Sequence, residues 1–276
     1  MSSMNSMKKT KKAQVEVSFN WIFVLIAGAA ILFFFLRVIN TEMDVTQTAT
    51  QSRTVARMNS LMTALQQNPD SVSLRDNLPQ QIKFECPVGC HEYGIPGSSS
   101  RTTLPHQLIY TPEIIGDSRP IAWVKSFNSP FPVASILYLT DQNTHYVFIE
   151  DGDADEQGGR PIKKYYDLLP NNISKSYVKY NQIDTLPTGY RTYIVIAHEA
   201  ATINFNNMDR RIRTTNKYMI KIGNNNEVTF SEFNGPQERY THLPEELVLG
   251  AIISGNKELF ECASNKVLDQ LRIITD

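Results

Sequence analysis

The sequence predicts an α+β or α/β protein: an N-terminal transmembrane helix continues into a stalk helix, followed by a mixed-sheet globular domain with C-terminal helices. Three observations carry this. One apolar run near the start is long enough to cross a bilayer. The stretch after it contains neither Pro nor Gly. From Ser71 onward, short β-rich runs punctuated by Pro, Gly and Asn alternate with a few helical periods. The boundaries that follow are a basic leader at 1–13, a membrane segment at 14–39, a stalk at 40–68 and a globular part at 70–276.

The apolar run extends from Phe19 to Ile39 and is interrupted only by Asn20 and Arg37. About 20 residues at 1.5 Å each give roughly 30 Å of helix, the thickness of a hydrocarbon core. No polar stripe marks one face, so this is not an interfacial helix. It is also longer than the apolar part of a secretory signal and ends in Phe33-Phe34-Phe35-Leu36-Arg37 rather than a small-residue cleavage site. Lys8, Lys9, Lys11 and Lys12 crowd the near side, whereas Arg37, Glu42 and Asp44 flank the far side. This asymmetry predicts a single pass with a cytoplasmic N-terminus and an extracytoplasmic C-terminal domain. Later apolar runs, Tyr193 to Ala197 and Leu247 to Ile253, are core-sized.

The stretch Lys11-Lys12-Ala13-Gln14, followed by Ser18-Phe19 and the apolar run, resembles the class III signal sequence of archaeal type IV pilin-like proteins. The resemblance covers only the first 40 or so residues. It implies a cut by a prepilin-type peptidase between Ala13 and Gln14, retention of the apolar helix in the mature chain, and other pilin-like subunits as partners. On that count Ser18 stands at the mature fifth position, where many pilins carry Glu, and Glu16 lies two residues earlier. The alternative is an uncut signal anchor whose lysines only set topology.

Asn40 to Gln67 is free of Pro and Gly and stops at Asn68-Pro69-Asp70. Val55, Met58, Met62 and Leu65 are spaced 3, 4 and 3 and share one helical face. One and a half heptads are too few for a coiled coil, so the stripe is expected on its own domain rather than on another subunit.

Beyond it, Lys83–Glu85, Gln107–Tyr110, Ser135–Leu139, Tyr146–Glu150, Tyr190–Ala197, Tyr218–Ile222 and Glu227–Phe230 read as strands. Pro161–Leu169, 244–254 and 257–272 read as helices. The last buries a face of Phe260, Ala263, Val267, Leu271 and Ile274.

The chain has 276 residues with 41% hydrophobic and 20% charged residues, a formal charge of −1 and a pI near 6.5. It builds an ordinary core and lacks the basic field that holds nucleic acid. Cys86-Pro87-Val88-Gly89-Cys90 favours a local disulfide, with Cys262 as another partner for either thiol. Cys90-His91 falls short of a zinc ligand set. Asp151, Asp153 and Asp155 resemble the start of a calcium loop, but Glu156 replaces the sixth-position Gly and Ile162 the twelfth-position Glu, so a solvated acidic loop is the stronger expectation.

His198-Glu199 and His242 with Glu245-Glu246 form no H-E-x-x-H motif, and no nucleophile elbow, G-x-G-x-x-G or P-loop is present. Arg210, Arg211 and Arg213 form a short basic strip, and Asn172-Ile173-Ser174 is an N-glycosylation acceptor pattern. No catalytic residue is assigned. The expectation is an anchored structural or interaction protein in contact with membrane lipid, with an anchored enzyme or ligand-binding domain as the alternative.

Overall fold

The computed structural model describes residues 21–38, 50, 53–54, 56–58, 60–61, 65, 72–73, 77–78, 80–87, 91–96, 101–104, 108–116, 119–128, 132–150, 161–199, 201, 216–231 and 237–275. The chain divides into two units, Met1–Ser52 and Arg53–Asp276. In the first, α1 (Trp21–Val38) is an 18-residue helix long and apolar enough to cross a membrane. Its large apolar side chains stand exposed on every side, from 41% at Val38 to 70% at Trp21.

The second unit is an α+β domain with three sheets. The first runs β1 (Val72–Ser73), β7 (Pro120–Asn128), β8 (Pro132–Asp141), β5 (Leu108–Tyr110). The second, with six strands, runs β10 (Lys175–Lys179), β9 (Thr144–Glu150), β11 (Thr192–His198), β12 (Asn216–Gly223), β13 (Glu227–Ser231), β14 (Gln237–Tyr240). The third is small: β4 (Arg101–Leu104), β3 (His91–Gly94), β2 (Ile82–Glu85), β6 (Ile114–Ile115). Strands β10, β9, β11 and β12 are mutually parallel, whereas β13 and β14 are antiparallel additions. Beside the helical residues described between 53 and 65, the domain carries the helices α2 (Pro161–Leu168), α3 (Glu245–Ser254) and α4 (Lys257–Thr275).

Strand alternation partitions the core. On β7 and β8, Ile121, Trp123, Phe127, Ile136 and Tyr138 face the main cluster, which also holds Tyr146, Phe148, Ile194, Ile196, Ile220 and the buried sides of α2, α3 and α4. Their neighbours Ala122, Leu137 and Leu139 face a second cluster. Successive side chains of a strand point to opposite faces, so one strand serves two cores. The main cluster is thus a helix layer held between the β5–β7–β8 sheet and the six-stranded one.

The second cluster receives residues from the stretch between 53 and 65. Residues described between 53 and 65 are helical, and Thr54, Met58, Leu61 and Leu65 are buried. Met58, Leu61 and Leu65 pack with Leu78, Ile82, Phe84, Tyr93 and Ile115. The apolar face expected at Met58 and Leu65 therefore lies on its own domain; Val55 and Met62 lie outside the described side chains.

The α3 helix is apolar all round, with Leu247 to Ser254 buried, because it sits in the middle of the layer. Gly255 ends it in the left-handed region (φ 64°), its N–H donating to the Ala251 carbonyl at 3.0 Å. Along α4, Phe260, Ala263 and Val267 face the main cluster, as the periodicity predicts.

One expectation is corrected. Cys86 is joined to Cys262 of α4, 176 residues away, with Cα atoms 6.2 Å apart, so the local Cys86–Cys90 bridge does not form. The reason is tertiary: the β2–β3 hairpin brings the end of β2 against α4 beside Leu259 and the second cluster. Cys90 itself lies outside the described residues.

Candidate functional site at the carboxyl ends of the central strands

In the six-stranded sheet, neighbouring β9 and β11 are parallel, and the next described residues after each pack on opposite faces. After β9, α2 packs Ile162, Tyr165 and Leu169 on the face carrying Tyr146 and Phe148. After β11, Ala201 packs on the other face, with Val147, Ile149, Val195 and the Ile183 and Leu186 segment. Such a divergence after adjacent parallel strands marks a topological switch point, and open α/β sheets hold ligands beyond the strand ends at such points.

Register fixes what stands there. Ile196 pairs with Phe148, and two residues further on each strand lie His198 and Glu150, the last residues of β11 and β9. Glu199 follows, its N–H donating to the Ile222 carbonyl at 3.0 Å. The Glu199 carboxylate accepts Arg239 at 3.2 Å, and Arg239 also pairs with Glu227. A Cβ on Gly223 would come within 2.5 Å of that carboxylate, so glycine at the end of β12 lets the pair close. The Arg239 guanidinium is held above its ordinary range, chiefly by the Glu227 hydrogen bond. Beside it, the Asn224–Asn226 turn places Asn225 (φ 61°) and Asn226 (φ 56°) in the left-handed region that Asn tolerates. Tyr165 donates to the Asn226 side-chain oxygen at 2.9 Å and fixes α2 to this end of the sheet.

His198 and Glu199 are thus brought to a place of functional interest that their spacing in sequence did not reveal. His242 and the pair Glu245 and Glu246 sit at the entry to α3; Lys164 pairs with Glu245 at 2.5 Å, and the Glu246 carbonyl accepts from Tyr138 at 2.9 Å. Asp151, Asp153 and Asp155 follow Glu150 directly but lie outside the described residues, as do Ala13, Gln14, Arg210, Arg211 and Arg213. Among the described residues no group of three or more His, Cys, Asp or Glu side chains is placed to hold a metal.

Sequence reasoning missed a second polar cluster, at the amino end of β9. His145 is 2% exposed, its Nδ1 within 2.7 Å of Ser174 Oγ and its Nε2 within 3.0 Å of Ser176 Oγ. The ring stacks on Tyr190 at 4.5 Å and meets Tyr193 edge-on. Burial pushes its pKa down to about 4, so the imidazole is neutral. A serine beside a histidine is the chemistry of a nucleophile and base, but here both ring nitrogens are occupied and the site is closed to solvent, which makes it a clamp between β9 and β10. Ser174 is also the third residue of the acceptor pattern at Asn172; Asn172 is exposed in its turn, whereas Ile173 is buried.

Comparison of the chain with protein-family models, curated proteins and solved structures found no match in any of the three. The reading of this site therefore rests on its geometry.

Proposed function

We propose that this protein is a single-pass, membrane-anchored structural or interaction protein whose folded domain is extracytoplasmic, and that it is a pilin-like subunit. The observation that carries the reading is α1: a helix with every large apolar side chain turned outward is unstable in water and stable in lipid. The four lysines before it favour a cytoplasmic N-terminus. The Cys86–Cys262 bridge supports the same orientation, because disulfides persist in oxidising compartments.

Protease added to intact cells is expected to digest the domain and leave a short membrane-protected fragment containing α1; full protection of the domain would sink this orientation. Intact-mass analysis of protein from the native membrane tests the pilin-like part. A mature chain beginning at Gln14 is expected, and one beginning at Met1 would remove peptidase processing.

The switch point favours a second reading, in which the anchored domain binds a ligand at the carboxyl ends of β9 and β11. Calcium is the first probe, given the aspartates that follow Glu150. Saturating calcium is expected to raise the thermal midpoint, and Glu150→Gln to reduce that rise; an unchanged midpoint would leave calcium without support.

A further inference from the structure

The second core cluster is assembled from parts that have little else in common. Met58, Leu61 and Leu65 come from the helix following the membrane segment, Ile82, Phe84, Tyr93 and Ile115 from the small sheet, Ala122, Leu137 and Leu139 from the back of the β7–β8 pair, and Leu259 from α4. The main cluster is a larger, separate body that includes none of the helix at 53–65 and none of the small sheet. Two cores that share strands but not side chains can open independently, because local opening follows the contiguous cooperative unit that is lost.

The α4 helix is where the two cores meet. Phe260, Ala263 and Val267 face the main cluster, while Leu259, on the adjacent stripe, faces the second. Cys262 stands three positions after Leu259, so it shares that stripe and reaches Cys86 at the end of β2. Among the described residues, side chains also tie the edge of the small sheet to its surroundings: Tyr218 donates to Glu113 at 3.2 Å, and the Gly116 N–H that follows β6 donates to Asp141. The disulfide adds a covalent cross-link between the end of β2 and α4.

We propose that Cys86–Cys262 is a redox-operated latch on the seat of the helical residues described between 53 and 65, Met58, Leu61 and Leu65 among them. With the bridge closed, the small sheet is held on α4 and the helix is clamped in the second cluster. A dithiol opens it by transferring two electrons and two protons: the S–S bond breaks, Cys86 and Cys262 become thiols, and the dithiol becomes a cyclic disulfide. The second cluster then loosens, releasing the helix from the domain, while the main cluster keeps the six-stranded sheet and α3 folded. The inference concerns the purified full-length protein in either redox state, so it stands or falls apart from the cellular location proposed above.

Hydrogen exchange on the full-length protein in detergent, with and without dithiothreitol, tests the latch. Reduction is expected to speed exchange at least tenfold at the amides of 54–65 and 82–94, and to leave those of 146–149, 194–197 and 247–253 unchanged. Equal loss of protection everywhere would show that the bridge supports one indivisible fold and overturn the proposal, as would no change anywhere. The double variant Cys86→Ser, Cys262→Ser is expected to show the loosened pattern without reductant and no response to it. Cys90→Ser is expected to respond like the unaltered protein; loss of the response in that variant would assign the bridge to Cys90 and remove the latch.

Discussion

His145 shows how a single side chain couples this fold to pH. Its folded-state pKa lies near 4, below the ordinary 6.5, so the unfolded chain binds the proton first as pH falls. The contribution of neutral His145 is complete above pH 6.5 and is lost progressively between 6.5 and 4, about 3 kcal/mol over the window at 1.36 kcal/mol per unit. Urea midpoints measured across that range are expected to fall toward acid, and a His145→Gln variant is expected to flatten the dependence. Gly250 makes a different kind of demand. A Cβ there would meet the Tyr110 ring at 2.6 Å, and Tyr110 is itself buried and bonded to Ser264 Oγ at 3.0 Å. Gly250→Ala should cost about 1–3 kcal/mol through overpacking, read as a lower chemical midpoint with an unchanged slope. Neither residue announced itself in sequence: His145 looks like any strand histidine until Ser176 of β10 and Ser174 just before it reach its ring.

At the scale of elements, the strongly patterned segments were readable and the others were not. Expected strands at Lys83–Glu85, Ser135–Leu139, Tyr146–Glu150, Tyr190–Ala197, Tyr218–Ile222 and Glu227–Phe230 coincide with β2, β8, β9, β11, β12 and β13, and all three globular helices lie where their periods placed them. The long strand β7 was missed because it opens on Pro120 and carries Lys125, Ser126 and Asn128 within it. Its partner β8 supplies the order through a register running from Pro120 opposite Asp141 to Phe127 opposite Ala134. Strands β3, β10 and β14 are short, polar and paired to stronger neighbours, and β4 is an edge strand on β3, so pairing rather than propensity makes them. The helix at 53–65 belongs to the element scale too. Leu61 is fully buried in the second cluster, and Leu61→Ala is expected to destabilise the domain by about 2–5 kcal/mol, measurable by thermal unfolding of the detergent-solubilised protein.

For the whole molecule the controlling quantities are solvent and connectivity. Placing Arg at Ala30, near the middle of α1, should cost about 2.5–3.5 kcal/mol of insertion free energy, and cell fractionation should find that variant shifted from the membrane to the soluble fraction. The disulfide closes 176 residues, so the chain-entropy estimate for its contribution is about 5 kcal/mol, more than twice the roughly 2 kcal/mol expected of a bridge across the Cys86–Cys90 turn. Loss of that much under reducing conditions is a second, equilibrium measure of the same bond.

The candidate site divides along the same line. Asp151, Asp153, Asp155, His198 and Glu199 were visible as residue types, but their spacing matched no motif. That β9 and β11 lie side by side, with α2 leaving one face and Ala201 the other, is a property of strand order and could not be read from composition or period.

By itself the amino-acid order settled the apolar segment near the start and the types of its strongest strands and helices, because hydropathy over 18 residues and periods of 2 or 3.6 are local quantities. Which cysteine meets Cys86, which core receives Met58 and Leu65, and which strand ends converge were decided only in three dimensions. Those outcomes depend on contacts between residues as far apart as 176 positions, whose energies exist only once the sheets have packed.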